Sequence, residues 1–210
     1  AGGRVALLRW EFAGQQPGSL ERFLPTGLDG DPVIGIERLP DGDGSDLSLG
    51  LLSSDGRFKR LALSEVLDLS GRATSVVKLK EGVHLKSAMI CRAETDLVLV
   101  SDIGRILRLP ISETTLPLMG RLAQGPMTMR LLPGESLVGG ITITPGEPEP
   151  SILVASAKGH LARIILTGLR LCQRGDLGEI AVGLLADDDR VRAICAGDGL
   201  VGLVTNKGRH

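Results

Sequence analysis

The feature that most constrains this chain is a hairpin pattern that returns about every fifty residues. An apolar run leads to Ser or Thr, two further residues, Gly, and then a base-bearing run. It reads Leu-Leu-Ser53-Ser-Asp-Gly56-Arg57-Phe-Lys59-Arg60, then Val-Leu-Val-Ser101-Asp-Ile-Gly104-Arg105-Ile-Leu-Arg108. It returns as Leu-Val-Ala-Ser156-Ala-Lys158-Gly159-His160-Leu-Ala-Arg163 and as Leu-Val-Thr205-Asn-Lys207-Gly208-Arg209. A partial copy, Gly3-Arg4-Val-Ala-Leu-Leu-Arg9, precedes them. The turn glycines 3, 56, 104, 159 and 208 step by 53, 48, 55 and 49 residues. A fixed step of this size marks a repeat architecture.

Each repeat has internal punctuation. A second glycine follows the first by 15 or 16 residues, at Gly18, Gly71, Gly120 and Gly175. Beyond it come an apolar run (Val76-Val77-Lys-Leu79, Met127-Thr-Met129-Arg-Leu131, Ile180-Ala-Val182-Gly-Leu184) and then another (Val33-Ile-Gly-Ile36, Ala88-Met-Ile90-Cys91, Val138 to Ile143, Ala193-Ile-Cys195). These short runs, rich in Val, Ile and Leu and bounded by Gly, Pro, Asp and Ser, read as strands rather than helices. The Ser/Asp-x-Gly sites read as hairpin turns. The fold expected is all-β: one propeller-like domain over residues 1–210, with about four to five four-stranded blades. Its two ends fall at the same phase of the repeat. Residues 200–205 can therefore pair with residues 4–10 and close the ring.

Net charge is only −1, from 24 Lys and Arg against 25 Asp and Glu, but charge is sorted by place. Acids gather between repeats, as at Asp41, Asp43 and Asp46 or Asp187 to Asp189, and read as solvated loops. Bases gather just after the turn glycines. Equivalent places in a radial repeat lie on one edge, so a basic track can form on a nearly neutral chain. Arg57, Lys59, Arg105 and Lys158 are expected to be freely exposed there. Arg60, Arg108 and Arg163 share the place four after the turn glycine, where a guanidinium can also bond a neighbouring blade.

Other chemistry finds little support. Cys91, Cys172 and Cys195 lack Cys-x-x-Cys spacing and read as small buried residues, in keeping with a reducing cytoplasm. His84, His160 and His210 have no metal-ligand spacing. Gly197-Asp-Gly199-Leu-Val-Gly202 fits a dinucleotide pattern but lies inside the hairpin repeat, without room for the helix that pattern requires. No apolar run approaches the roughly 20 residues of a membrane span. No catalytic residue, cofactor or metal is expected.

The repeated Ser/Thr-x-x-Gly-x-x-x-Arg hairpin, the glycine-bearing linkers and the Met127-Thr-Met129-Arg-Leu131 strand resemble the carboxy-terminal domain of bacterial type IIA topoisomerase A subunits, those of DNA gyrase and topoisomerase IV. The resemblance implies a β-pinwheel whose blades exchange strands and whose basic rim binds and bends duplex DNA in the nucleoid. It implies as partners the ATPase-bearing B subunit together with the rest of the A subunit. The expected DNA contacts are Arg57, Lys59, Arg60, Arg105, Arg108, Arg121, Lys158, His160, Arg163, Arg174, Lys207 and Arg209. Only one linker, Cys172-Gln173-Arg174-Gly175-Asp176-Leu177-Gly178, approaches the gyrase box, and Asp176 puts a negative charge where that box has glycine or a base. Supercoiling of the gyrase kind is therefore not expected. The chain has no tyrosine, so the family's tyrosine-dependent strand cleavage cannot reside in it. A protein-interaction propeller is the alternative, and it calls for an apolar or aromatic face.

Overall fold

The computed structural model describes residues 3–8, 31–39, 44–69, 73–146, 149–197 and 199–202. Strands dominate: β1 (Arg4–Val5), β2 (Leu47–Ser53), β3 (Phe58–Ala62), β4 (Thr74–Ser75), β5 (Leu85–Arg92), β6 (Asp96–Ser101), β7 (Arg105–Pro110), β8 (Leu137–Ile143), β9 (Ser151–Ser156), β10 (Leu161–Ile165), β11 (Glu179–Ile180) and β12 (Val191–Ala196). One short helix, α1 (Leu63–Leu67), and a 3-10 turn at Leu166–Gly168 follow two of the hairpins.

Three repeats build three blades of one design. The hairpin strands β2–β3, β6–β7 and β9–β10 pair antiparallel across the turn glycines, and β5, β8 and β12 pair on the other side of β2, β6 and β9. Each of those last three pairings carries a register shift. In such a shift one strand holds an extra residue and bends. β5 touches β8 and β8 touches β12, so these strands form the seam where neighbouring blades meet.

In the first two complete blades a fourth strand comes from the next repeat. β11 pairs with β7, giving the sheet order β11-β7-β6-β8. Met127 bridges Arg57, and Thr128 and Met129 both donate N–H to Gly56 O, at 3.0 Å each. β4 pairs with β1 in the same sense, and Val76 N–H bonds Gly3 O at 2.9 Å. The blades therefore exchange strands, and the exchange strand with its linker forms the outermost layer. Spacing along the sequence marked these segments as strands; it did not say that each crosses to the preceding blade.

Three apolar clusters fill the blades. Phe58, Leu52, Leu97, Leu99, Leu107 and Met129 are fully buried in the first of them. Cys91 belongs there too, and burial pushes its thiol up to about 12, consistent with a packing role. Cys172 is buried and Cys195 half-buried, both as free thiols. Two expectations need correction. Residues 33–36 form no strand: Val33 and Ile36 are 53% and 87% exposed. A strand needs a paired neighbour, and the ring-closing segment that would supply one lies mostly outside the described residues; Leu200, at its described end, is fully exposed. Asp189 is not solvated but fully buried.

Candidate nucleic-acid interface

The bases of the hairpin repeat hold the blades together. Lys59 is fully buried, and its ammonium donates to Val76 O at 2.5 Å and to Arg121 O. It thus ties two consecutive exchange segments. Arg60 donates to Ser48 Oγ at 3.1 Å and to Leu116 O at 2.6 Å, beside the Glu113 carboxylate. Arg108 binds Asp96 at 2.6 Å and reaches Leu166 O. Arg163 repeats the first half of this arrangement, with Nε 2.9 Å from Ser151 Oγ.

The base directly after the turn glycine has a second fixed partner. Arg105, 4% exposed, makes a two-pronged pair with Glu135 and donates to Arg130 O at 3.0 Å. Burial alone would raise the Glu135 carboxyl. The Arg105 bond and the Leu132 N–H outweigh it and hold the group below its ordinary range. His160 takes the place of Arg105 one blade on, with Nδ1 3.0 Å from Asp189 Oδ2. Burial would likewise raise Asp189. Bonds from Ser156, His160 and the Arg190 and Lys158 N–H groups overcome it and hold the carboxyl far below the usual range. Arg57 donates to Gly125 O at 3.0 Å and sits 3.3 Å from Asp55.

The expectation that Arg57, Lys59 and Arg105 stand free at the surface is therefore corrected. Arg57 and Lys59 are held by the next repeat's linker, and Arg105 by Glu135 and Arg130 of its own repeat. Lys158 is exposed, paired with Asp188. Lys207 and Arg209 lie outside the described residues.

Burial leaves a titration that can be checked. Desolvation pulls the Lys59 ammonium down to about 8, against a partial upward pull from Glu65. Between about 8 and the ordinary 10.5 the unfolded chain keeps a proton that the folded chain has released. Stability due to this group therefore rises with pH across that window. The urea-melt stability of the parent relative to Lys59→Met is expected to increase from pH 8 to pH 10; a difference that stays constant with pH would count against it.

The cations that do face solvent lie one layer further out. Leu118 and Leu171 occupy equivalent places, bridging Arg60 and Arg108 in parallel. Three residues beyond each stands an exposed arginine, Arg121 and Arg174. Arg130 is exposed on the exchange strand beside them, as are Lys78 and Lys80 one repeat earlier. The linker carrying Arg174 runs against that strand: Gly175 N–H bonds Thr128 O and Arg130 N–H bonds Asp176 O, both at 2.9 Å. Arg130, Lys78 and Lys80 were missed because their place after the second glycine reads as strand interior. Asp176 is partly spoken for, accepting from Gln173 N–H at 3.1 Å and facing Arg170 at 3.4 Å.

Among the described residues no group of three His, Cys, Asp or Glu side chains could hold a metal. No helix among them is long and apolar enough to cross a membrane.

Known proteins share this architecture. The crystal structure of the C-terminal domain of DNA topoisomerase IV superposes with a TM-score of 0.67 at 20% identity, covering 76% of this chain and 49% of that one. The E. coli ParC C-terminal domain gives 0.55 at 13% identity, covering 72% and 62%. These two likenesses speak to fold. In sequence, the chain is 31% identical over 155 residues to the A subunit of DNA topoisomerase 4 from Synechocystis sp., covering 70% of this chain and 16% of that protein. It is 27% identical over 165 residues to the A subunit of DNA gyrase from Mycolicibacterium smegmatis, covering 73% and 19%. The chain thus spans less than a fifth of the length of these relatives. The family described as DNA gyrase C-terminal domain, beta-propeller, matches residues 51–92 and 95–144, which hold most of the β2–β3 hairpin with β5 and the β6–β7 hairpin with β8. With the strand exchange seen in the fold, these matches make the chain a member of that family, the carboxy-terminal β-pinwheel domains of gyrase and topoisomerase IV A subunits.

Proposed function

We propose that this domain binds and bends duplex DNA along its outer linker layer, as a non-catalytic part of a type IIA topoisomerase A subunit. In this reading an ATPase-bearing B subunit supplies energy, the rest of the A subunit supplies strand cleavage, and the domain presents a DNA segment to them. The observation that carries it is the recurrence of an exposed arginine, Arg121 and Arg174, at the same place on successive linkers. Arg130, Lys78, Lys80, Lys158 and Arg163 extend the cationic surface. Lys59, Arg60, Arg105 and Arg108 contribute by fixing the linkers that carry it. Phosphate contacts of this kind give weak sequence preference and strong salt dependence. A curved row of cations also favours bent DNA, because the phosphates it reaches on a curved duplex offset a bending cost of a few kcal/mol.

Binding of a mixed-sequence duplex should fall steeply with salt. The Arg121→Ala, Arg174→Ala double variant should lower the slope of log affinity against log salt by about 2, near 0.9 per lost phosphate contact. An unchanged slope would place the DNA elsewhere, and a flat wild-type response would remove the DNA reading. One observation favours a second reading, a protein-binding rim: Leu118, Leu122, Leu171 and Ile180 are 44%, 68%, 58% and 72% exposed on the same layer. That reading predicts partner binding that depends little on salt.

A further inference from the structure

The two outer linkers each carry a pair of leucines with opposite fates. Leu116 and Leu169 are buried, each packed in an apolar cluster. Two residues on, Leu118 and Leu171 are exposed. The backbone holds them there. Each forms a parallel bridge with the arginine four after a turn glycine, Arg60 or Arg108. The next N–H, that of Met119 or Cys172, donates to the carbonyl of the same arginine, at 2.9 Å and 2.7 Å. The linker is thus anchored by its first leucine and by backbone bonds, and the second leucine is left facing outward on a fixed support.

Cations frame these leucines. Arg121 and Arg174 stand three residues beyond them, both exposed. Each takes the first corner of a tight turn, closed by Ala123 N–H to Gly120 O at 3.1 Å and by Asp176 N–H to Gln173 O at 3.2 Å. The second corner of the first turn is another exposed leucine, Leu122; that of the second is Gly175. Three residues of chain reach at most about 10 Å, so leucine and guanidinium can meet one duplex together. Single exposed leucines are ordinary on a protein surface. An exposed leucine at the same distance from an exposed arginine on successive linkers is not single. A protein partner would call for aromatic anchors in a continuous apolar patch. Here cations stand between the leucines, and Phe58, the only Phe, Tyr or Trp among the described residues, is fully buried.

We propose that Leu118, Leu122 and Leu171 contact thymine methyl groups in the major groove of bound duplex DNA. The proposal rests on the DNA reading above and adds a sequence preference to it. The thymine methyl is the one apolar group that a base edge offers, and it lies in the major groove. That groove, about 12 Å wide, admits a tight turn, whereas the minor groove, about 6 Å wide, does not. In the minor groove an apolar side chain has no apolar partner unless it parts the bases, which kinks the duplex toward the major groove and so away from the protein. Such a kink would oppose the curvature that the cation row favours. Contact with a methyl leaves the stack intact and removes apolar surface of both partners from water. Arginine on phosphate then sets position, and leucine on methyl adds a bias toward thymine where a linker faces the major groove.

The test compares a mixed-sequence duplex with the same duplex carrying uracil for every thymine, which deletes the methyl groups and keeps the base pairing. The whole chain should bind the thymine duplex more tightly, by about fourfold for each methyl met and roughly tenfold for the two linkers together. The slope of log affinity against log salt should be the same for both duplexes, because it counts phosphates. The Leu118→Ser, Leu122→Ser, Leu171→Ser variant should bind both alike, near the parent's affinity for the uracil duplex, with the parent's salt slope and urea melt. Equal binding of the two duplexes by the parent, with a steep salt slope, overturns this proposal and leaves the DNA reading standing. A flat salt slope removes both. A thymine preference that survives in the triple variant also overturns the proposal: uracil then acts through the shape of the duplex, and the leucines belong to a protein-binding rim.

Discussion

Gly56→Ala is expected to destabilise the domain by about 4–6 kcal/mol, while Gly159→Ala, the same change in the equivalent turn two repeats on, costs about 1–2 kcal/mol. The two glycines share a conformation, φ +82° and +85°. Left-handed backbone alone costs an alanine about 1–2 kcal/mol, and both variants bear it. Only at Gly56 would the new methyl lie 2.0 Å from Met129 O, a backbone atom that cannot swing aside. Relief requires the exchange strand to lift. That breaks the two N–H bonds to Gly56 O, near 1 kcal/mol each, and uncovers Met129, worth about 2 kcal/mol more. Gly104→Ala belongs with Gly56, since Val182 O would stand 2.5 Å away. Urea melts of the three variants measure the difference. Equal costs at Gly56 and Gly159 would mean that the exchanged strand contributes little to stability.

That contrast marks where sequence reading reached its limit. The hairpins were legible because the turn glycine, the apolar run before it and the bases after it recur in step, and all three complete hairpins lie where the step puts them. Strand exchange was not legible: a period says which segments are equivalent, not which neighbour each one crosses to. The bases were misjudged for the same reason. Lys59 reads as solvated until the Arg121 linker is laid over it. A signal was present nonetheless. Each arginine four after a turn glycine has a polar partner twelve residues upstream, Ser48 for Arg60, Asp96 for Arg108 and Ser151 for Arg163. Of the bases just after the glycine, Arg105 and His160 have an acid 30 and 29 residues downstream, Glu135 and Asp189. Charges that keep a partner at fixed separation through a repeat belong to its frame. Arg121 and Arg174 are instead exposed.

The buried Arg105–Glu135 pair separates frame from DNA surface most sharply. Their side chains are 5% and 1% exposed. Arg105→Met strands a carboxylate away from water, and Glu135→Met strands a guanidinium; each is expected to cost about 3–5 kcal/mol. The double variant removes both charges and fills the space with side chains of similar volume, so it should recover most of that loss. The remaining cost is about 1 kcal/mol, because Arg130 O loses the Arg105 donor. The expected coupling between the two substitutions is therefore several kcal/mol, far above the few tenths seen for independent sites. DNA binding then decides the role of Arg105. Once refolded by the second substitution, the double variant should bind duplex DNA with the affinity and salt slope of the parent, because a guanidinium sealed against Glu135 has no face left for a phosphate. The Arg121→Ala, Arg174→Ala variant should show the converse, parent-like stability with weakened binding. Loss of DNA affinity in the stable Arg105→Met, Glu135→Met variant would return the hairpin bases to the DNA path and require the linker layer to open when DNA binds.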